Sequence, residues 1–335
     1  MHDYPPYALN VVYRSSHSAV WELAEKAGIL AELRLTLRSL EFGDNPKTAE
    51  EALFRGDVDF ISGNHVTPYR WVARGEPIVC IASANNAIRN RVVTREPVTS
   101  LADFGRTLRV ADTNLISADD GAVSHTRGNH ILDISHGGFG PSEAEWIELG
   151  EPRDPSYQAT LIDAIRSGCA DVAFLPRRHR EIAAAGLPTL DLPALPMVTG
   201  TTITTTYESL NRKEGLADRL VRAMVLSAHY ARMRPQEAQT LLDTKMGKPY
   251  HERGGRARGV AQFCMKPYPT AEAITNVFEL CCMWHEEARA VNPIALWDTR
   301  SLRDLDLTGF IDELIQEEPE GAGGSADGVR SEGDD

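Results

Sequence analysis

Two stretches decide how this sequence is read: Glu51-Ala52-Leu53-Phe54-Arg55-Gly56-Asp57-Val58-Asp59-Phe60 and Asp163-Ala164-Ile165-Arg166-Ser167-Gly168-Cys169-Ala170-Asp171-Val172-Ala173-Phe174. Each reads as a helix end, then a glycine able to take positive φ, then an aspartate just before an apolar strand. Any helix–glycine–strand joint shares that outline. Its occurrence once in each half of the chain, after a similar series of elements, predicts two α/β lobes.

Working outward, the first half alternates short apolar runs with helical patterns. Residues 9–13 read as a strand and 18–27 as a helix ending at Gly28. Residues 33–40 alternate at period 2, the mark of a strand with one solvated face. A helix over 46–54, a strand over 58–61, a short helix over 68–74 and a buried strand over 78–82 follow. A second series starts near residue 91: strands at 91–94, 107–111, 146–149 and 171–175, with helices at 100–104, 121–133, 156–167 and through 185. Strands alternating with helices imply right-handed crossovers and a mainly parallel sheet in each lobe. After Leu190 the pattern changes. Residues 197–206 form a long β-branched strand, and the rest is helical, over 217–233, 235–245, 270–290 and 302–315.

Composition narrows the function classes. The 335 residues carry 35 Lys and Arg against 48 Asp and Glu, a net charge of −13, which argues against a phosphate backbone as partner. No run approaches the roughly 20 apolar residues of a membrane span. The odd set Cys80, Cys169, Cys264, Cys281 and Cys282 has no metal spacing and reads as reduced, intracellular thiols. Met1 to Tyr7 has no Lys or Arg and no apolar run after it, so the chain as written is expected to be cytoplasmic. A misplaced start codon would instead hide a leader and make it periplasmic or extracellular. Residues 317–335 hold seven acids and one Arg, a net −6, and are expected to be a disordered tail.

The most specific block is Asn90-Arg91-Val92-Val93-Thr94-Arg95, then Thr99-Ser100-Leu101-Ala102-Asp103-Phe104, then Leu108-Arg109-Val110-Ala111. With the order of elements and the two glycine–aspartate phrases, it resembles the type II periplasmic-binding-protein fold in its SsuA/THI5/NMT1-like branch, the substrate-binding proteins of ABC transporters. The resemblance covers roughly residues 8–300. It implies a first part of lobe I over 1–88, lobe II over 89–196, and a return to lobe I with C-terminal helices over 197–316. The chain would cross outward at 83–95 and return at 195–206, with a ligand cleft between the lobes.

Ligands of open parallel sheets sit beyond the carboxyl ends of the strands, beside helix N-termini. The candidates therefore lie in the loops that follow strands. Arg14-Ser15-Ser16-His17-Ser18 offers Ser15, Ser16 and His17 to a carboxylate, sulfonate or phosphate, although Ser16 or Ser18 also suits an N-cap. Asn64 and His65 follow the third strand, where they can meet a ligand or cap the next helix. Asn85 sits at the crossing. In lobe II, Ser117 precedes a helix start, and Arg177 and Arg178 follow a strand, placed either to fork onto an anion or to form a solvated basic face.

Other features carry less. His125 and His130 are five residues apart, about 140° around a helix, a poor pair for a metal, and neither metal nor cofactor is expected. Cys281-Cys282 departs from the longer iron motif of THI5-type synthases and reads as helix core. Residues 292–298 are expected to pack on lobe I, and 254–259 to form a flexible basic loop. Two functions follow from the resemblance. The first is a module binding a small polar or anionic ligand, such as an aromatic acid, working with an ABC permease only if exported. The second is a cytosolic, cofactor-independent enzyme, such as a 4,5-dihydroxyphthalate decarboxylase-like lyase. There His17 or His65 would donate the proton and Arg177 or Arg178 would clamp the leaving anion. The related desulfinase has a Cys in the first-strand loop, and residues 14–18 have none.

Overall fold

A computed structural model describes residues 4–14, 17–105, 107–112, 122–140, 143–149, 157–174, 186–243 and 256–317, with the side chains of 112, 122–125 and 157–158 excepted. Strand β1 (Tyr7–Tyr13) buries Leu9, Val11 and Tyr13 on alternate positions and pairs in parallel with β2 (Leu35–Phe42) and β3 (Phe60–Ser62). The crossovers are α1 (Ala19–Lys26), the single turn α2 (Ile29–Glu32) and α3 (Pro46–Arg55). Asn45 accepts from the backbone N–H of Lys47 and Thr48, and Gly56 at φ 77° ends α3. Helix α4 (Pro68–Ala73) leads into β4 (Ile78–Ile88).

The second sheet repeats the scheme. It holds β5 (Arg91–Thr94), β6 (Leu108–Asp112), β7 (Ala144–Glu148), β8 (Val172–Phe174) and β9 (Thr189–Asp191), ordered β7-β6-β8-β5-β9, with helices α5 (Ala122–His136) and α6 (Tyr157–Arg166). The chain then returns as β10 (Leu195–Thr206) and completes the first sheet in the order β2-β1-β3-β10-β4. Only β10 in the first sheet and β5 in the second run against their neighbours, so both sheets are mainly parallel. The remaining helices are α7 (Tyr207–Arg212), α8 (Leu216–Met233), α9 (Pro235–Asp243), α10 (Arg256–Ala261), α11 (Ala271–Cys282), α12 (Arg300–Leu307) and α13 (Phe310–Gln316). Among the described residues no helix is long and apolar enough to cross a membrane.

The two glycine–aspartate phrases do the same work in each sheet. Gly56 and Gly168 both turn the chain at positive φ, 77° and 75°. Three residues on, Asp59 and Asp171 are buried, and each locks onto a neighbouring parallel strand of its own sheet, β1 for Asp59 and β6 for Asp171. The Asp59 carboxylate accepts the Asn10 N–H at 2.8 Å, while the Asp59 N–H donates to the Asn10 carbonyl at 2.8 Å. Asp171 exchanges the equivalent bonds with Arg109, at 3.1 and 2.8 Å. A cation completes each site: Lys213 on Asp59, and the Arg109 guanidinium on both oxygens of Asp171. A buried carboxylate needs such partners, because an unpaired charge in an apolar interior is costly.

The fold departs from the sequence reading where tertiary contacts override local pattern. Strand β4 continues past Ala82 to Ile88 because β10 pairs with it from Ile78–Thr206 to Ile88–Leu195. The edge strand β9 and the one-turn α7 are too short to leave a periodic signal. The expected helix over 302–315 breaks at Gly309, φ 79°, and that over 270–290 stops at Cys282, followed by a 3-10 turn at Glu286–Ala290. Residues 254–259 are expected to form a loop, but their described part, from Arg256 on, opens α10. The Arg256 guanidinium binds the buried Glu22 of α1 and the Leu242 carbonyl, and that anchor orders the segment. Residues 292–298 do pack on lobe I: the Trp297 N–H donates to the Tyr69 hydroxyl at 3.0 Å. Cys281 and Cys282 are buried in an apolar cluster with Val277, Phe278 and Leu280. The helix expected through 185 and the tail beyond Glu317 lie outside the described residues.

The two segments that cross between the lobes are tied to each other at the lobe II end. The Leu192 N–H donates to the Asn90 carbonyl at 2.9 Å, and Arg91 forks onto Asp191 at 2.5 and 2.9 Å. Beside them, α5 of lobe II sits on α11 of lobe I. A Cβ at Gly128 would lie 2.2 Å from Leu280 and 2.5 Å from Trp284, so only glycine permits this approach. The Asn90 side chain donates to the buried Asp133 of α5, whose pKa burial pushes above the usual carboxylate range.

Two stability predictions follow. Asp171→Ala removes a buried acceptor from strand β6 and is expected to destabilise by about 1.5–3 kcal/mol. Breaking the exposed Arg55–Asp57 pair should change stability by less than about 1 kcal/mol; urea midpoints distinguish the two. Asp133 has a folded pKa above its unfolded value, so ionising it opposes folding as pH rises from about 4. Asp133→Asn keeps the acceptor for Asn90 and is expected to remove that part of the decline, read from unfolding curves at pH 4 and pH 7.

Candidate functional site

The topology fixes where the two lobes face each other. Strand β4 leaves the first sheet at the carboxyl edge of its parallel strands. Strand β5, running against β6 to β8, enters the second sheet at that sheet's carboxyl edge. The return from β9 to β10 joins the same two edges. Both carboxyl edges therefore border one cleft, and on lobe I its wall is formed by the loops after β1 and β3 and by the middle of β10.

Residues 14–18 follow β1. The Arg14 N–H donates to the Ser62 carbonyl at 2.9 Å, and its guanidinium to the Gly43 carbonyl at 2.6 Å. A chain of hydrogen bonds fixes the far end of the loop. Trp21, fully buried, donates from its indole N–H to the Ser62 hydroxyl at 2.8 Å, and Ser62 donates to the His17 carbonyl at 2.7 Å. The His17 side chain packs against Gly63: a Cβ there would be 2.0 Å from the imidazole Cδ2. Gly63 also has φ 84°, so the position needs glycine twice over, for conformation and for space.

Strand β10 supplies the polar floor. His17 Nδ1 lies 3.5 Å from the Thr201 hydroxyl, and His65 Nδ1 lies 3.4 Å from the Thr202 hydroxyl. Both imidazoles are half-buried and both threonines are buried. Lower on β10, Thr204 donates to the Asn64 carbonyl and Thr205 to the Asp59 carbonyl at 2.7 Å. The hydroxyls of Thr201, Thr202, Thr204 and Thr205 thus each meet a group of the β1 or β3 segment. A β-branched threonine suits a central strand and also satisfies the backbone groups freed where β3 gives way to its loop. At the outer end of the same edge, Phe42 is 48% exposed beside Tyr13, with ring centroids 5.7 Å apart.

The expected residues divide into three groups. His17 and His65 are brought together at the edge of lobe I. Asn64, expected to meet a ligand, is instead turned inward: it is buried, its amide donates to Glu50 at 2.9 Å, and its side-chain carbonyl accepts from Thr67 at 3.1 Å. Asn85 is half-buried on β4, where its amide nitrogen lies 2.9 Å from the place a Cβ of Gly200 would occupy. Ser15, Ser16, Ser117, Arg177 and Arg178 lie outside the described residues. Sequence reading missed Thr201, Thr202, Ser62, Trp21 and Glu50. The signal for the threonines was present in the repeated hydroxyls of β10, but the others depend on contacts with distant parts of the chain.

The chemistry available here is two imidazoles and two hydroxyls on one wall, with an aromatic ring at the rim. Imidazole changes charge near neutrality and both donates and accepts, so such a wall suits an anionic or proton-exchanging group. Among the described residues no set of three His, Cys, Asp or Glu is grouped to hold a metal ion. Burial pushes the Cys80 thiol of β4 up to about 12, so it is held in its protonated, less nucleophilic form.

Solved structures share this architecture. The putative sulfonate ABC transporter protein SsuA from Methylobacillus flagellatus KT, a periplasmic sulfonate-binding protein, aligns at TM-score 0.60 and 12% identity, over 92% of this chain and 97% of that one. The periplasmic aliphatic sulphonate binding protein SsuA from Escherichia coli aligns at TM-score 0.55 and 16% identity, over 85% and 89%. A mutant of DSZB in complex with biphenyl-2-sulfinic acid aligns at TM-score 0.52 and 15% identity, over 89% and 99%. The fold is that of the SsuA-like type II periplasmic binding proteins. Neither a protein-family model nor a curated protein sequence matches the chain.

Gly63→Ala tests the loop geometry. It is expected to cost about 1–2 kcal/mol from the left-handed backbone alone. The clash with His17 should also shift that imidazole's NMR signals, while His229 on α8 stays unchanged.

Proposed function

We propose that this protein binds a small organic anion in the cleft between its lobes, with the carboxyl edge of the first sheet as the wall that recognises the charged group. The observation that carries the reading is the meeting of His17, His65, Thr201 and Thr202 at that edge, from three separate segments of the chain. A carboxylate or sulfonate presents several acceptor oxygens to such donors, and charge-assisted hydrogen bonds are stronger than neutral ones. The exposed Phe42 at the outer end of the wall favours an acid with an apolar or aromatic body. The solved relatives support the same class: two are named for sulfonates, and DSZB holds an aromatic sulfinate.

The reading includes hinge closure, since among the described residues the chain crosses between the lobes at two adjacent segments, beside the packing of α5 on lobe I. It also includes a reducing compartment, supported by five free cysteines, of which Cys169 and Cys264 are exposed. The enzymatic alternative uses the same wall, with one imidazole as proton donor to a ring carbon that loses carbon dioxide.

The test is titration with benzenesulfonate, benzoate and phthalate, followed by calorimetry and by product analysis. Binding without product is expected, weakened about tenfold or more by His17→Ala or His65→Ala. An unchanged affinity in both variants overturns the site. Release of carbon dioxide from an aromatic acid, lost in either variant, replaces the binding reading by the lyase.

A further inference from the structure

Glu50 on α3 is fully buried, and its carboxylate is saturated by one short stretch of chain. One oxygen accepts from the Asn64 amide at 2.9 Å and the Thr67 hydroxyl at 2.5 Å. The other accepts from Arg70 at 2.7 Å and the Trp71 indole N–H at 2.6 Å. All four donors belong to residues 64–71, the loop after β3 and the helix it enters. A charge balance alone needs only Arg70. The two additional donors from the loop flank His65 on either side in sequence, at positions 64 and 67.

We infer that Glu50 is a positioning residue for His65: it pins the loop on both sides of that histidine and so holds the imidazole at the cleft edge. The inference rests on the reading of that edge as the ligand wall. Supporting contacts run in the same sense. The Asn64 carbonyl is held by the Thr204 hydroxyl and by the Cys80 thiol at 3.8 Å, so the backbone before His65 is fixed from the sheet side while Glu50 fixes it from the helix side. The His65 ring meets the sheet through its Nδ1, 3.4 Å from the Thr202 hydroxyl. The carboxylate is the right group for this task because it is an acceptor at every lone pair, matching four donors without a competing N–H.

Glu50→Gln is nearly isosteric but replaces one acceptor oxygen by an NH2 that faces two donors. The experiment compares Glu50→Gln and Thr67→Val with the parent and with Ile311→Val, a core change on the distant α13. In the ligand-free proteins, the His65 imidazole signals are followed by 1H–13C NMR, with His229 as internal reference. Displacement or broadening of His65 is expected in Glu50→Gln and Thr67→Val, but not in Ile311→Val. Benzenesulfonate binding should fall about tenfold in the first two and stay unchanged in the third. If Glu50→Gln does not fold, Thr67→Val decides, since it removes one neutral hydroxyl and leaves the ion pair. Folded variants with an unmoved His65 overturn the inference. A moved His65 with no effect on any tested anion upholds the positioning role and removes the ligand wall on which the proposed function stands.

Discussion

Strand β10 enters lobe I between β3 and β4 and runs against both, although it is separated from them by the whole of lobe II. Its length makes it the main contact of β4, and its threonines serve the backbone of the β3 loop and the imidazoles above it. Lobe I is therefore not complete until the chain has built lobe II and returned. Such long-range pairing carries a loop-closure cost before its contacts form. The compensation lies in a strand buried over most of its length, with almost every hydroxyl assigned to a carbonyl, an amide or a ring.

The two sheets solve one problem in the same way. A parallel strand pair has no hairpin to set its register, so register must come from elsewhere. Here a buried aspartate, three residues after a left-handed glycine, takes the N–H of a neighbouring parallel strand and returns its own. The two sites differ in their cations: Lys213 reaches Asp59 from α7's end, while Arg109 pairs within its own sheet. Thus lobe I depends on the returning chain even for this anchor, whereas lobe II is self-sufficient at the same point.

Buried polar groups recur wherever an element must be held at the cleft. Ser62, Trp21 and His17 form one relay, and Glu50 with residues 64–71 forms another. Each ties a loop that follows a strand to a helix behind it. Hydrogen bonds of this kind contribute little net stability individually, but leaving any one unmade in the interior is costly. They fix a single loop geometry, which a recognition surface requires. The fully buried Arg219 plays a similar part at the other end of the sheet: it donates to the carbonyls of Pro5 and Glu214 and lies between the rings of Tyr4 and Tyr7.

The sequence by itself determined the alternation of strands and helices in each half, because period-2 and helical patterns and left-handed glycines are local properties; the expected crossing segments came from the family resemblance. The sequence also marked His17 and His65, since polar residues just beyond buried strands are visible in the chain. It did not reveal Glu50, which reads as one more acid on a solvated helix until the loop after β3 folds over it. It misassigned Asn64 and residues 256–259 for the same reason: whether an amide faces a ligand or a carboxylate, and whether a basic segment is loose or anchored, depends on what the fold brings against it. Thr201 and Thr202 looked like strand formers, and only the insertion of β10 beside β3 turned them into partners of the two histidines. Hydrogen-bond partners distant in sequence are decided by tertiary structure, because propensity acts over a few residues and burial acts over the whole molecule.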